Sequence, residues 1–239
     1  MLTIEPIPAF EDNYLWLLGD SSGVTAIVDP GDADAVIAAL EQHGWKLDLI
    51  LNTHHHGDHV GGNIALKKKY GCRIIGPATD AHRIPGMDEG VNEGDTVAVG
   101  ASNAKVIETH GHTKGHICFW FPDDKALFCG DTLFSMSTGR LFEGTPEMMW
   151  ASLQKIAALP DDTMIYCAHE YTEENGSFCL TVEPGNPDLR RRMDEVRALR
   201  AAGKPTLPVS LATEKKTNCL LRAGSSSKYG ELRRLKDDY

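Results

Sequence analysis

The segment 53–59, THHHGDH, constrains the possible folds of this chain more than any other feature. It follows a short apolar run, LDLILN, which predicts a buried strand that ends where the histidines begin. Core packing has no use for alternating imidazole and carboxylate groups, whereas zinc, iron and manganese take both as ligands. An extended loop would point His54, His56 and Asp58 to one side, because they lie two residues apart, and His59 can turn to a second ion. The segment therefore predicts a strand-end loop that binds two metal ions.

Three further segments end an apolar run with side chains of the same ligand type. They are GHTKGH (111–116), CGDTLF (129–134) and AHEYT (168–172). Successive strand ends that meet at one edge of a sheet are how α/β folds build their sites. The candidates added in this way are His112, Asp131 and His169. Adventitious metal binding by a histidine-rich loop is the alternative, and it is disfavoured because the motif, its strand context and these later partners agree.

Short apolar runs alternate with amphipathic ones over the first two thirds of the chain, which is typical of a layered α/β domain. Strands are predicted at 14–20, 24–31, 47–52 and 72–77, and then at TVAVG, AKVIETH, HICFWFP, KALFCG and TMIYCAH. Helices are predicted at 32–44, 63–71, 145–160 and 186–203. Most of them begin with an N-cap residue or with proline in the first turn. The predicted fold class is therefore α/β.

The composition shifts near residue 170. Residues 1–169 carry a net charge of −12 and residues 170–239 a net charge of +2. Strand signals also fade at this point, and helical patterns follow. We therefore expect two domains, 1–169 with the metal site and 170–239 as a small helical domain. The last segment, SKYGELRRLKDDY, predicts a helix with these residues facing inward: Tyr229, Leu232, Leu235 and Tyr239.

Charge and composition also limit the partners of the chain. A net charge of −10 opposes a phosphate backbone, so we expect no binding to nucleic acid. No apolar run approaches the roughly 20 residues that span a bilayer, and the first residues are acidic rather than basic, so we expect neither a membrane segment nor export. The six cysteines are scattered through apolar stretches without a CxxC pair, which favours buried thiols in a reducing compartment. We expect a cytoplasmic monomer.

The four motifs, in this order, resemble those of the metallo-β-lactamase fold superfamily. Within it the chain resembles the glyoxalase II family, the hydroxyacylglutathione hydrolases, because GRLFEGT (139–145), HEYT followed by helices, and RRLKD (233–237) also match. The resemblance covers essentially the whole chain. It implies an αββα sandwich with a small C-terminal helical domain that binds substrate. The implied reaction is metal-dependent hydrolysis of S-(2-hydroxyacyl)glutathione, such as S-lactoylglutathione, to glutathione and lactate, the second step of methylglyoxal detoxification.

The resemblance also implies a role for each site residue. One metal ion would be held by His54, His56 and His112, and the other by Asp58, His59 and His169, with Asp131 bridging the pair. Zinc is the expected metal, and iron and manganese suit the same ligands. Two adjacent dications lower the pKa of a shared water enough to supply hydroxide near neutral pH, and Asp58 and Asp131 are the implied catalytic carboxylates. The implied glutathione contacts are Arg140, Phe142, Tyr171, Arg233 and Lys236.

The chain departs from the family pattern in three places. Phe142 stands where the family often has tyrosine, which removes one hydroxyl group. Residues 135–138, SMST, replace a turn of the Gly-Cys-Gly type before Gly139. The segment between Arg222 and Arg233 is shortened, which predicts a more open pocket for the thiol.

Several other functions fit parts of the pattern. A mononuclear-iron glutathione persulfide dioxygenase of the same superfamily is the main alternative, and the intact second ligand set and the terminal helical region speak against it. A β-lactamase or lactone hydrolase lacks the glutathione-type motifs, and a nuclease is disfavoured by the acidic charge. A metal-stabilised binding protein without turnover is disfavoured because no additional thiolate closes the ligand set. For Arg233 and Lys236, the alternative is a solvated helix face without contact to substrate.

Overall fold

The computed structural model describes all residues from 1 to 239, and it divides into two compact units. The first unit contains residues 1–108 and 115–130, and the second unit contains residues 109–114 and 131–239. This division follows packing of the backbone. The domain boundary expected at residue 170 concerns the sequence domains, and it stays a prediction.

A six-stranded sheet in the first unit runs in the order β1-β2-β3-β4-β5-β6. The pairs β1–β2 and β2–β3 are antiparallel, and the remaining neighbours are parallel. Its strands are β1 (Thr3–Ala9), β2 (Asn13–Gly19), β3 (Thr25–Val28), β4 (Leu49–Leu51), β5 (Arg73–Pro77) and β6 (Glu89–Val91). The strands predicted at 14–20, 24–31, 47–52 and 72–77 are thereby confirmed to within three residues at each end.

Four further strands of the first unit form antiparallel neighbours in the order β10-β9-β8-β7. They are β7 (Thr96–Val99), β8 (Ser102–Glu108), β9 (Ile117–Phe121) and β10 (Ala126–Gly130). Each corresponds to a predicted apolar run. All five residues of β10 are buried, which explains the unbroken apolar sequence of this strand.

The helices of the first unit pack on the six-stranded sheet. They are α1 (Ala33–His43), α2 (Gly57–Val60) and α3 (Asn63–Tyr70), with a 3-10 turn at Ala78–Asp80. The side chain of Asp32 accepts hydrogen bonds from the first backbone N–H groups of α1, and Gly44 ends this helix with a left-handed φ of 68°. Val36 and Leu40 of α1 are fully buried against Leu17 and Ile50 of the core. The core therefore fixes the strand end from which the histidine segment departs.

The second unit is mainly helical. Its helices are α4 (Pro146–Ala157), α5 (Thr172–Val182), α6 (Pro187–Ala201), α7 (Leu211–Thr217) and α8 (Ser226–Asp237). Two short strand pairs accompany them, β11 (Leu133–Phe134) with β12 (Ser137–Thr138), and β13 (Met164–Cys167) with β14 (Val209–Ser210). The predicted helices at 145–160 and 186–203 are confirmed. None of the helices in the molecule combines the length and apolar character needed to cross a membrane.

The prediction for the last helix is partly wrong. Tyr229 and Leu232 are buried as expected, whereas Leu235 is 57% exposed and Tyr239 is 59% exposed. The inward face of α8 runs along 229, 232, 233 and 236, the i, i+3, i+4, i+7 stripe of a helix, so position 235 falls outside it. Tyr239 lies beyond the end of the helix. Arg233 and Lys236 therefore lie on the buried face of α8, where Leu235 and Tyr239 were expected.

Candidate functional site

The histidine segment of the first unit begins where β4 ends. The backbone N–H of Asn52 donates to the carbonyl of Ile75 (2.8 Å), which extends the sheet by one step. The side-chain amide of Asn52 then donates to the carbonyl of His59 (3.1 Å), closing the segment into a loop. Asn13, the first residue of β2, donates from Nδ2 to Asp58 Oδ2 (3.0 Å). These bonds bring the rings of His54 and His59 to a centroid separation of 4.1 Å.

A carboxylate that the sequence analysis missed orients this loop. Asp29 follows β3 and is buried with a left-handed φ of 52°. It accepts hydrogen bonds from the backbone N–H and the hydroxyl of Thr53, both at 2.7 Å. Nδ1 of His59 lies 3.0 Å from the same carboxylate and donates to it, since a carboxylate only accepts. Because the Thr53 hydroxyl gives its proton to Asp29, Nδ1 of His54 donates to that hydroxyl at 3.0 Å.

These bonds determine which ring nitrogen is left to bind a metal. A histidine that donates from Nδ1 presents an Nε2 lone pair, which is the tautomer that a metal ligand needs. Nε2 of His59 lies 3.3 Å from Asp58 Oδ2. Two lone-pair-bearing atoms at this distance repel each other unless a cation lies between them. The pair therefore fits a shared metal ion.

The ligand candidates of the second unit converge on Asp131. Its Oδ2 lies 3.3 Å from Nε2 of His112, and its Oδ1 lies 3.5 Å from Nε2 of His169. Nδ1 of His112 donates to the carbonyl of Arg140 (2.9 Å), so this ring also presents Nε2 to the carboxylate. One carboxylate that faces two imidazoles with different oxygens is the arrangement of a bridging ligand. The three side chains are buried, which protects metal–ligand bonds from competing water.

The distances test whether divalent ions fit these residues. Two ligands bound at about 2.0 to 2.2 Å to one tetrahedral ion lie about 3.3 to 3.6 Å apart. The three nitrogen–oxygen pairs described above span 3.3 to 3.5 Å. The donor set contains imidazole and carboxylate groups without thiolate, which suits zinc, iron and manganese. The residues in each unit therefore fit divalent metal ions.

A cavity of about 390 Å³ lies in the second unit beside His112 and Asp131. All five predicted substrate contacts line it, namely Arg140, Phe142, Tyr171, Arg233 and Lys236. The lining residues that the sequence analysis missed are Phe134, Ser137, Thr138, Glu174 and Asn175. Tyr171 stacks on His169 with a centroid distance of 4.8 Å and nearly parallel rings, which places a phenol at the edge of the ligand group.

The cations of the cavity are held by specific partners. Arg233 donates to the carbonyl of Thr138 (2.7 Å) and pairs with Asp237 (2.9 Å). Lys236 pairs with Glu174 and lies 5.3 Å from the ring centre of Tyr239. Arg233 is only 4% exposed and Lys236 only 7% exposed, so the alternative of a solvated helix face is wrong for both. Buried cations that line a cavity are suited to bind carboxylates of a ligand.

The cavity wall at 134–138 is anchored by buried polar groups. Glu214 accepts hydrogen bonds from the hydroxyl of Ser135 (2.9 Å) and from the backbone N–H of Met136 (2.8 Å). Asn218 donates to Glu214 and to the carbonyl of Ser137, both at 3.0 Å. Burial raises the pKa of Glu214, and its hydrogen bonds act in the opposite direction. Through this network Glu214 and Asn218 hold residues 135–137 of the wall in place.

The family model of the metallo-beta-lactamase superfamily matches residues 11–169, and the model of the hydroxyacylglutathione hydrolase C-terminus matches residues 170–239. A hydroxyacylglutathione hydrolase of Methylococcus capsulatus is 52% identical over 226 residues, which cover 94% of this chain and 88% of the relative. This chain belongs to the hydroxyacylglutathione hydrolase family. It has the metallo-β-lactamase fold, followed by the helical C-terminal region of that family, as the sequence predicts.

Solved structures show how far the fold of this hydroxyacylglutathione hydrolase family member extends. The crystal structure of ETHE1 from Myxococcus xanthus matches with a TM-score of 0.75 at 22% identity, covering 98% of this chain and 90% of that one. TTHA1623 in a di-iron-bound form matches with a TM-score of 0.62 at 26% identity, covering 69% of this chain and 91% of that one. The first likeness concerns the fold alone.

Proposed function

We propose that this chain is a metal-dependent thioester hydrolase that cleaves S-(2-hydroxyacyl)glutathione, such as S-lactoylglutathione, to glutathione and a 2-hydroxy acid. The main support for the proposal is the cavity of the second unit. Its lining includes three cations, Arg140, Arg233 and Lys236, together with His112 and Asp131. Cations for a ligand's carboxylates thus lie beside metal-ligating side chains. Membership of the hydroxyacylglutathione hydrolase family supports the same reaction.

The proposed metal ligands are those that the family pattern implies. His54, His56 and His112 would hold one ion, Asp58, His59 and His169 the other, and Asp131 both. When bound, two divalent ions would lower the pKa of a water molecule toward neutrality and polarise the thioester carbonyl. The similar structure of TTHA1623 in a di-iron-bound form supports the proposal that this chain binds two metal ions. We propose zinc as the metal, and iron and manganese suit the same imidazole and carboxylate ligands.

The residues of the chain position these groups. Asp29 holds the proton on Nδ1 of His59, and the carbonyl of Arg140 accepts the proton on Nδ1 of His112. Both rings are thereby fixed with Nε2 directed at a ligating carboxylate. Asn13 holds one oxygen of Asp58 by its amide, which keeps the carboxylate from rotating. The site is thus assembled before substrate binds, and the cost of ordering it falls on folding rather than on catalysis.

Binding and leaving-group chemistry follow from the cavity. Arg140, Arg233 and Lys236 would bind the carboxylates of glutathione by charge-assisted hydrogen bonds. Substrate carboxylates must compete there with Asp237 and Glu174, which hold these cations in the free protein. The leaving group is a thiolate, which forms readily near neutral pH, so the cavity needs no strong general acid.

The mononuclear-iron persulfide dioxygenase remains the alternative, and one observation weighs against it. Asp58 lies 3.3 Å from Nε2 of His59 and is held there by Asn13. A single ion would use only part of this ligand set, and residues 170–239 match the hydroxyacylglutathione hydrolase C-terminus. We therefore favour the thioester hydrolase over the persulfide dioxygenase.

Further proposals concern the cellular location and the domains of the protein. We propose a cytoplasmic location, which the six buried free cysteines support because such thiols persist in reducing compartments. We also propose the division into domains 1–169 and 170–239, and the two family models meet at the same boundary. The monomeric state stays a prediction.

Release of free thiol from S-lactoylglutathione by the purified protein tests the function. We expect rapid thiol release that a chelator abolishes. Oxygen uptake with glutathione persulfide, measured on the same preparation, should stay at background. Oxygen uptake without thiol release from the thioester would instead establish the dioxygenase.

A further inference from the structure

Phe10 is an exposed aromatic residue in the turn between β1 and β2. Its side chain is 60% exposed, and its backbone has a left-handed φ of 51°. A large apolar side chain loses by exposure to water, and a non-glycine residue loses by a left-handed backbone. Backbone strain of this kind persists where the surrounding structure imposes it, and it clusters at functional sites.

The position of Phe10 connects it to the histidine loop within the first unit. Phe10 opens the turn between β1 and β2, and the same turn ends at Asn13, whose amide donates to Asp58. Gly31 shows how close these parts lie. A Cβ atom at Gly31 would be 2.9 Å from Cε2 of Phe10 and 1.9 Å from the carbonyl oxygen of Asp58. The Phe10 ring and the backbone of Asp58 therefore pack against the same glycine and are neighbours.

The chemistry of the substrate identifies what such a ring would contact. In a thioester, the carbonyl links a thiol half to an acyl half. The thiol half carries the charges, and the cations that suit them line the cavity of the second unit. The acyl half is uncharged, and it extends from a carbonyl that reacts beside the ligating residues Asp58 and His59. An exposed aromatic ring next to Asp58 offers this half an apolar surface.

We propose that Phe10 is a specificity-determining residue that binds the acyl substituent of the thioester, an inference that rests on the proposed function. The left-handed turn holds the ring beside Asp58 instead of allowing it to fold into the core. The preferred substrates are then 2-hydroxyacyl thioesters with an apolar or aromatic substituent. Burying each additional methylene against the ring favours binding about fourfold.

The test compares the kcat/KM values of three glutathione thioesters that differ only in the acyl group: S-acetyl, S-lactoyl and S-mandeloyl. In Phe10→Asn, asparagine tolerates a left-handed backbone, so the fold is kept while the apolar ring is lost. We expect kcat/KM to fall about tenfold or more for the mandeloyl thioester and less than about twofold for the acetyl thioester. Phe10→Leu should lose an intermediate amount. Inhibition by glutathione, which lacks an acyl group, should not change.

Ile64 provides a matched control for Phe10. Ile64→Gln removes another exposed apolar side chain of the first unit, 54% exposed on α3, and should leave the acyl preference unchanged. An equal effect of Phe10→Asn on all three thioesters, or none, would overturn the inference while leaving the thioesterase intact. So would a change of oligomeric state without a change of acyl preference, since Phe10 would then serve an interface. A wild-type protein that hydrolyses none of the thioesters would overturn the proposed function, and the inference with it.

Discussion

At Asp29, one buried carboxylate accepts three hydrogen bonds that together set the tautomers of two histidines. Both oxygens are used by Thr53, and one of them also accepts from His59. The sequence contains this residue in a plain Asp-Pro-Gly turn, VDPG, and nothing in that pattern marks it as part of a site. Its role depends on a parallel pairing of β3 with β4, which brings the two strand ends together.

Asp29→Asn should weaken metal binding without removing a ligand. The amide retains the size of the side chain, but its nitrogen cannot accept from Thr53 or His59, so the histidine rings lose their fixed orientation. Loss of such a supporting group typically costs 10- to 100-fold in metal affinity. Metal content after dialysis against a graded chelator measures the effect. Asp20→Asn is the matched control, since Asp20 also follows a strand but bonds to Ser22 and Ala101, and equal metal loss in both variants would contradict the account.

Arg233→Ala should raise the KM for S-lactoylglutathione by about 10- to 100-fold, because a charge-assisted hydrogen bond to a substrate carboxylate is worth about 1.5 to 3 kcal/mol. The metal content should stay unchanged. Arg234→Ala, a neighbour on the same helix that does not line the cavity described above, serves as the control. Because Arg233 also bonds to Thr138, the melting temperature of each variant must be measured as well. An unchanged KM would remove Arg233 from the site.

The motifs predicted the individual ligand candidates. They did not predict Glu174 and Asn175 as cavity residues, and the structure shows why. Glu174 and Asn175 line the cavity only because α5 begins at Thr172 and directs one face of its first turn there. No capping side chain marks the start of this helix, and its sequence, TEENGSFCLTV, contains a glycine and several weak helix formers. Side chains placed by such an element cannot be assigned before its presence is known.

At the scale of elements, α8 shows how a cavity alters the usual pattern of a helix. Arg233 and Lys236 lie on its buried stripe, and Leu235 lies on the exposed side. Apolar periodicity alone assigned the inward face to 229, 232, 235 and 239, because it treats every cation as exposed. The helix instead buries its cations, each of which is paired with a carboxylate. A helix face that lines a cavity therefore breaks the rule on which the prediction was based.

Strong local signals predicted the other elements well. Helices α1, α4 and α6 each have a side-chain N-cap, from Asp32, Thr145 and Asn186. Several elements were missed, and in β1 and α7 the reason is that their signals conflict. β1 contains Pro6 and Pro8, which are tolerated because this strand lies at the edge of its sheet. α7 is only seven residues long and follows directly on a short strand.

The buried phenol of Tyr229 anchors α8, and it makes stability depend on pH in the alkaline range. Burial raises the pKa of Tyr229 from 10.0 to about 12, and its hydroxyl lies 2.9 Å from that of Thr138. Between these two pH values the folded state keeps a proton that the unfolded chain has lost. The free energy of unfolding should therefore fall as the pH rises from 10 to 12, by about 3 kcal/mol from this residue alone.

Urea unfolding of Tyr229→Phe at pH 8 and pH 11 isolates this contribution. The variant should lose about 1 to 3 kcal/mol at pH 8, since the hydroxyl of Thr138 loses its buried partner. It should then lose less additional stability than the wild type on going to pH 11. Parallel losses in the two proteins would show that Tyr229 does not ionise in this range.

In the whole molecule, the cations that line the cavity contrast with the negative net charge of the chain. The chain is acidic overall, with a net charge of −10, and glutathione thioesters are anions. In the proposed function, specific cations offset this repulsion locally, since Arg140, Arg233 and Lys236 all line one cavity. The family resemblance predicted these residues as substrate contacts. The burial of two of them, and the carboxylates that hold them, follow only from the packing of α5 and α8 in three dimensions.

We propose that thioester hydrolysis by this protein depends on two metal ions, and reconstitution of metal-free protein tests this dependence. Zinc would be added in steps to chelator-stripped protein, and thiol release from S-lactoylglutathione would be followed at each step. We expect almost no activity without metal and a rise that ends at two zinc ions per chain. Full activity in the stripped protein, or a plateau at one ion per chain, would contradict it.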